Sequence, residues 1–238
     1  MAKPEDTQHT RKVRTMFGQI AQRYDLLNRV MTFGQDIRWR KEAIRKLELK
    51  SGPQWVLDAG TGTGDIALEI QKQFPQAVVV ASDLTPEMIQ VGKKRPGAEK
   101  IHWVIADAMD LPFATESFDG VISGYLLRNV PDVNGALREQ CRVVKPLKAV
   151  VSLDTTPPAE NLLKPFIGFF LHRVIPFMGK ILTGHAEAYT YLPDTTEHFL
   201  PADKLAARME AVGFWPVQFC KRMFGTMAIH FAVKNPKS

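Results

Sequence analysis

Apolar residues along this 238-residue chain change their spacing several times, and the changes mark its elements. Over residues 9–30, Val13, Phe17, Ile20, Tyr24 and Leu27 recur at three- and four-residue steps. That is the period of an amphipathic helix, and it predicts one continuous helix there. A second helix is predicted over about 37–47, before the turn Ser51-Gly52-Pro53. From Val56 onward, short, mostly apolar runs (Val56-Leu57 ending at Asp58, then 77–82, 101–105, 118–123 and 149–153) are separated by helical patterns after Gly64, after Pro86 and over 133–144. An unbroken run suits a strand buried on both faces, as in a parallel sheet. Alternating strands and helices then predict a mostly parallel sheet with helices on both faces. The chain closes with a helix at 205–212 that Gly213 caps, and with two strands, 214–220 and 226–233, forming an antiparallel pair joined near Gly225. The result is a seven-stranded α/β domain covering 1–238, with a helical N-terminal extension (1–50) and an insertion (157–200).

Composition fits this picture. Hydrophobic content of 45% and charged content of 24% are ordinary for a globular chain, and the length allows a sizeable core. The opening Met1-Ala2-Lys3-Pro4-Glu5-Asp6 has no apolar core, so no secretory signal is expected and the chain reads as cytoplasmic. Cys141 and Cys220 stand apart from any Cys-x-x-Cys or Cys/His cluster, so neither a metal site nor a disulfide is expected. The net charge of +6 sits entirely in residues 1–50, which hold 12 Lys or Arg against 6 Asp or Glu, leaving 19 of each beyond. Arg11, Lys12, Arg14, Arg38, Arg40 and Lys41 carry the excess. It can be a solvated helix face or a contact with an anionic membrane surface. Nucleic acid is disfavoured, because no recognition fold or aromatic-basic platform accompanies the charge. Residues 161–182 are rich in Phe, Ile and Leu but broken by Lys164, Pro165, His172, Arg173, Pro176 and Lys180, which excludes a membrane span. They form either an insertion packed on the core or an apolar lid for a greasy substrate.

The chemistry is announced by Val56-Leu57-Asp58-Ala59-Gly60-Thr61-Gly62-Thr63-Gly64-Asp65. Glycine tolerates positive φ and exposes bare backbone, so a strand can turn tightly into a helix whose N–H groups face a ligand. Dinucleotide binders read G-x-G-x-x-G, whereas here the third glycine comes early, as Gly64. This argues against a nicotinamide oxidoreductase. The order resembles the first motif of class I S-adenosylmethionine (SAM) methyltransferases, which sets Asp58, Gly60 and Gly64 at the cofactor. The next run ends at Asp83, 23 residues past Gly60, where nucleotide-binding α/β units hold both ribose hydroxyls. The third leads to Asp107-Ala108, the adenine position in enzymes of this class. Asp119 reads as a turn or capping residue.

Nearly the whole chain resembles the ubiquinone/menaquinone biosynthesis C-methyltransferases. The resemblance lies in MFGQIAQRYDLLNRVMTFGQDIRWR (16–40), LDAGTGTGDIAL (57–68), MDLPFATESFD (109–119), LRNVPD (127–132), ALREQCRVVKP (136–146), Tyr189-x-Tyr191-Leu192 and GTMAIHFAVK (225–234). It implies a Rossmann-like class I methyltransferase fold and SAM, without metal, held by Thr63, Asp83, Asp107 and Ala108. Gly124 aligns with a serine usual in the family, so its contact would be through backbone. Two departures stand out: Leu147-Lys148 replaces a glycine pair, and Leu153-Asp154-Thr155-Thr156 replaces a glutamate-led strand end.

The implied reaction is methyl transfer to a ring carbon of a demethylated prenylated quinol, either demethylmenaquinol or 2-methoxy-6-polyprenyl-1,4-benzoquinol. Such a carbon is a good nucleophile once an adjacent hydroxyl has lost its proton. Arg128 and Asn129 follow the fourth strand, where ligands bind in open α/β sheets, and the resemblance assigns catalysis to them with Tyr24. Arginine keeps its proton, so Arg128 would stabilise the phenolate while water accepts the proton. Structural alternatives remain for each: Arg128 as a cap on the strand that partners the next helix, Asn129 as the N-cap of the helix after Pro131, Tyr24 as helix packing. Another aromatic acceptor, or a non-catalytic subunit of a quinone-pathway complex, are the competing functions. A homodimer stays open.

Overall fold

A computed structural model describes residues 4–158, 168–169, 173–174 and 195–236. Seven strands form one sheet: β1 (Trp55–Ala59), β2 (Val78–Asp83), β3 (Ile101–Ile105), β4 (Phe118–Gly124), β5 (Val144–Thr155), β6 (Gln218–Arg222) and β7 (Met227–Val233). Their order across the sheet is β3-β2-β1-β4-β5-β7-β6. All pairs up to β5 are parallel, and β7 runs antiparallel to both β5 and β6. The expected mostly parallel seven-stranded sheet is therefore the one observed.

Helices cover both faces. Among the described residues they include α1 (Pro4–Ile20), α2 (Tyr24–Met31), α3 (Gln35–Arg45), α4 (Asp65–Gln73), α5 (Pro86–Lys93), α6 (Val133–Val143) and α7 (Ala202–Ala211). Side chains alternate along each strand, so neighbouring residues feed opposite layers. Leu57, Val121 and Val150 join Leu137 of α6 and Leu205 and Met209 of α7 on one face. Val56, Ile122 and Val151 join Trp39, Ala43 and Ile44 of α3 and Ile66 and Ile70 of α4 on the other. The last helix of the N-terminal extension is thus a layer of the core.

Several boundaries differ from the sequence expectation. The predicted helix over 9–30 is two helices, broken at 21–23. Arg23 donates its N–H to Ile20 at 2.9 Å, a tighter turn whose backbone stays right-handed (φ −114°, ψ −1°). Hydrophobic spacing survives such a break, so periodicity cannot reveal it. The fifth strand is longer than 149–153 because a bulge lies within it: Phe118 pairs with Val144, but Gly120 already pairs with Ala149. The strand expected over 214–220 begins only at Gln218. Nearly all of the insertion, and Tyr189, Tyr191 and Leu192, lie outside the described residues.

Because β1 to β5 are parallel and in register, their carboxyl ends share one edge. Ala59 pairs with Ser82 and Ser123, Asp83 with Ile105, and Gly124 with Leu153. Chain order reverses between β1 and β4, the crevice where open α/β sheets bind ligands.

Candidate active site

The glycine turn opens the site. Gly60, Gly62 and Gly64 all have positive φ (68°, 57° and 85°), so each takes a conformation that other residues resist. Their surroundings differ. A Cβ on Gly60 would lie 2.6 Å from Leu126, and one on Gly64 would lie 2.4 Å from the Trp103 ring, so both are packing glycines. A Cβ on Gly62 would meet only Tyr24, at 3.8 Å, and this is where backbone is left bare toward the cavity.

Asp58 is fully buried and takes both the Thr61 hydroxyl (2.5 Å) and the Ala67 N–H (3.0 Å) on one oxygen, tying the turn to α4. Burial lifts its pKa to about 7 despite those two donors. At the end of β2, Asp83 accepts the Gly62 N–H at 2.8 Å on one oxygen and the Thr85 N–H at 2.8 Å on the other. Burial pushes this carboxyl upward too. The Thr85 hydroxyl adds a third donor to this carboxylate. Asp107 accepts the Met109 N–H at 2.9 Å and lines, with Ala108, the same cavity as Asp83.

Two adjoining cavities share Tyr24, Gly60, Gly62, Gly124 and Tyr125. The larger one runs over Asp83, Asp107, Ala108 and Asn129, and is roofed by Val13, Arg14 and Phe17 of α1. The smaller one reaches Asp58, Thr63 and Arg40. Every expected cofactor residue except Gly64, which packs behind the turn, lines one of the two.

The expected catalytic group is split. Tyr24 and Asn129 line the larger cavity. Arg128 lines neither: its guanidinium lies 3.7 Å from the buried Asp154 carboxylate and stacks over Tyr125, 5.2 Å from the ring centre. The Arg128 N–H also donates to Asp154 at 3.2 Å. Burial raises the Asp154 pKa, with Arg128 opposing it. The N-cap alternative for Asn129 is corrected: Asp132 holds the N-cap position of α6, and Asn129 instead donates its side-chain amide to the Tyr125 carbonyl at 2.7 Å. Asp119 is structural, accepting the Trp55 N–H at 3.0 Å and Lys145 at 2.9 Å.

Sequence reasoning missed a buried charge network behind the glycine turn. Asp36 pairs with Arg29 and Arg40, and Asp65 pairs with Arg29, Arg40 and Arg95. Arg95 also reaches Asp25 at 3.2 Å, and Asp25 accepts the Thr63 hydroxyl at 2.5 Å. Burial would raise the Asp65 carboxyl, but Arg40, Arg95 and Arg29 hold it below the usual range. Arg40 therefore leaves the basic surface to which the sequence assigned it. It is buried, because two carboxylates on different helices claim it. The i,i+4 spacing of Asp36 and Arg40 was legible; the partners Asp65 and Arg95 were not, because only the fold brings them near.

Among the described residues no group of three or more His, Cys, Asp or Glu could hold a metal ion, and no helix is long and apolar enough to cross a membrane.

Comparisons with known proteins agree with this geometry. Over 222 residues the chain is 44% identical to the ubiquinone/menaquinone biosynthesis C-methyltransferase UbiE of Desulfotalea psychrophila, covering 93% of this chain and 90% of that protein. It is 39% identical to a demethylmenaquinone methyltransferase of Thermus thermophilus, covering 90% and 98%. Among solved structures, the Haemonchus contortus phosphoethanolamine N-methyltransferase 2, crystallised with S-adenosylhomocysteine, shares the fold at a TM-score of 0.62 and 15% identity, covering 83% of this chain and 52% of that one. The [4+2]-cyclase SpnF shares it at 0.66 and 15% identity, covering 95% and 97%, so this architecture is not tied to one reaction. The family model for the ubiE/COQ5 methyltransferases matches residues 5–234, nearly every residue, and this chain belongs to that family.

Proposed function

We propose that this protein transfers a methyl group from SAM to a ring carbon of a demethylated prenylated quinol in respiratory quinone biosynthesis. One observation carries the reading: the bare backbone at Gly62, flanked by Asp83 and Asp107, opens into the space that Tyr24 and Asn129 line. A cradle that a Cβ would fill, with carboxylates at the ends of two adjacent strands, suits a nucleoside-bearing cofactor.

SAM supplies an electrophilic methyl on a sulfonium, and the transfer is an in-line displacement. Asp83 would take the ribose hydroxyls on its remaining acceptor capacity. Asp107 and Ala108 would border the adenine, and Gly60, Gly124 and Thr63 would line the space for the methionine end. Asp58 sits behind Thr61 and keeps the turn in shape. Holding acceptor and donor collinear is the main task, and such positioning can lower a barrier by roughly 7–11 kcal/mol. Arg128, set behind Tyr125 and paired with Asp154, lends positive charge to the phenolate without deprotonating, and Asn129 and Tyr24 orient the ring. The hydroxyl proton goes to solvent, and after methyl transfer the methylated carbon loses its C–H proton as the oxygen regains one.

The site faces a lipid-soluble substrate, and the surface around the α2–α3 turn suits a lipid interface. Leu26, Phe33 and Ile37 are 51%, 71% and 43% exposed, with Arg38 and Lys41 exposed beside Ile37 on α3. We read this as a peripheral seat on an anionic bilayer. Co-sedimentation with phosphatidylglycerol vesicles should be strong at low salt and weak at high salt, and Phe33→Ser should reduce it. Salt-independent or absent binding retires the membrane reading.

The enzymatic reading is tested with purified protein, labelled SAM and demethylmenaquinol under anaerobic conditions. Label in menaquinol is the expected outcome, and an unlabelled quinol fraction rejects it. Complementing strains blocked at the menaquinone or the ubiquinone methylation then identifies the acceptor.

A further inference from the structure

Tyr125 has no part in the sequence argument, yet it stands where the two cavities meet. Its backbone is left-handed (φ +59°), a strained conformation for an aromatic residue. The surroundings hold it there: its N–H donates to the Leu153 carbonyl at 2.7 Å, and its own carbonyl accepts the Asn129 amide at 2.7 Å. Two guanidiniums lie over the ring, Arg40 at 5.7 Å and Arg128 at 5.2 Å from its centre. The residue is only 8% exposed, and among the described residues its hydroxyl has no hydrogen-bond partner. Arg128 Nε is also buried and unpartnered in the same sense. Two buried donors left unpaired on neighbouring side chains are costly unless an acceptor satisfies them when the site works.

We propose that the Tyr125 hydroxyl is a substrate contact that donates a hydrogen bond to the ring oxygen of the aromatic acceptor as that oxygen becomes a phenolate. This rests on the quinol reading above and adds a residue to it. Burial lifts the Tyr125 pKa to about 12, against the pull of Arg40 and Arg128, so at neutral pH the group is a donor and never a base. It forms and breaks no covalent bond, and its hydrogen bond is strongest when the acceptor oxygen is most charged.

Tyr125→Phe removes the hydroxyl and little else. A merely structural hydroxyl with no partner can be lost without harm to folding. The expected result is unchanged or raised thermal stability and unchanged calorimetric affinity for S-adenosylhomocysteine. Turnover of demethylmenaquinol should fall about 10–100-fold, and anaerobic binding of 1,4-naphthohydroquinone to the protein saturated with S-adenosylhomocysteine should weaken by a similar factor. Wild-type turnover and wild-type probe affinity in the variant overturn the assignment. So does a turnover loss matched by losses of stability and of S-adenosylhomocysteine affinity, which marks a packing role. A wild-type protein that leaves the quinol unmethylated removes the quinol reading and this inference with it; activity in the wild type equalled by the variant removes this inference alone.

Discussion

Arg128 was expected to face the substrate, and the fold gives it a second obligation. Its partner Asp154 is buried, so deleting the guanidinium strands a carboxylate, a change that typically costs about 3–5 kcal/mol. Arg128→Ala should therefore lose stability as well as turnover. Adding Asp154→Asn should restore most of the stability in a denaturant titration while turnover stays about 10²–10⁴-fold down. Recovery of turnover in the double variant would show that Arg128 acts only by holding the loop. Leu147 illustrates a departure with a structural outcome. It stands where the resemblance expects glycine, has φ +60°, and is 67% exposed. Leu147→Gly relieves a left-handed backbone and should stabilise the protein by roughly 0.5–1 kcal/mol, since the gain is partly offset by unfolded-chain entropy. A lower melting temperature would count against that account. Tyr125 could not be found from sequence, because neither its positive φ nor its isolated hydroxyl is a property of residue order.

At the scale of elements, the N-terminal helices and the glycine turn form one electrostatic unit. Asp36 on α3 and Asp65 at the start of α4 share Arg29 and Arg40, Arg95 comes in after α5, and Asp25 on α2 holds Thr63 in the turn. With one carboxylate removed, the guanidiniums keep only Asp36 and Asp25. Asp65→Asn should cost about 3 kcal/mol, the lower end for breaking a buried pair, and should raise amide exchange across Tyr24–Met31. Unchanged exchange there would mean that packing, and not charge, seats α2. The sequence showed these helices through their apolar spacing. It could not show the break at 21–23, or that part of the basic excess is spent inside the protein.

For the molecule as a whole, the buried acid under the turn couples folding to pH. Asp58 sits at about 7 in the folded chain against an ordinary 3.8. It therefore binds its proton more readily folded than unfolded, and its contribution to stability is complete below 3.8 and lost as pH rises through about 7. Asp58→Asn keeps an acceptor for Thr61 and Ala67 but does not titrate. Its melting temperature should fall less steeply than that of the wild type between pH 5 and 8, and parallel curves would exclude this origin. The fold class, the strand sequence and the positions of Asp58, Gly60, Gly62, Asp83 and Asp107 were all determined by the sequence alone, because they follow from local rules. Apolar period selects strand or helix, glycine order shapes the turn, and parallel strands must end on one edge. Tertiary structure alone decided which charges are buried, that Arg128 answers to Asp154, and that two guanidiniums come over the Tyr125 ring. Those outcomes depend on contacts between residues far apart in the chain, as with Asp25 and Arg95, 70 positions apart, and local pattern carries no information about such distances.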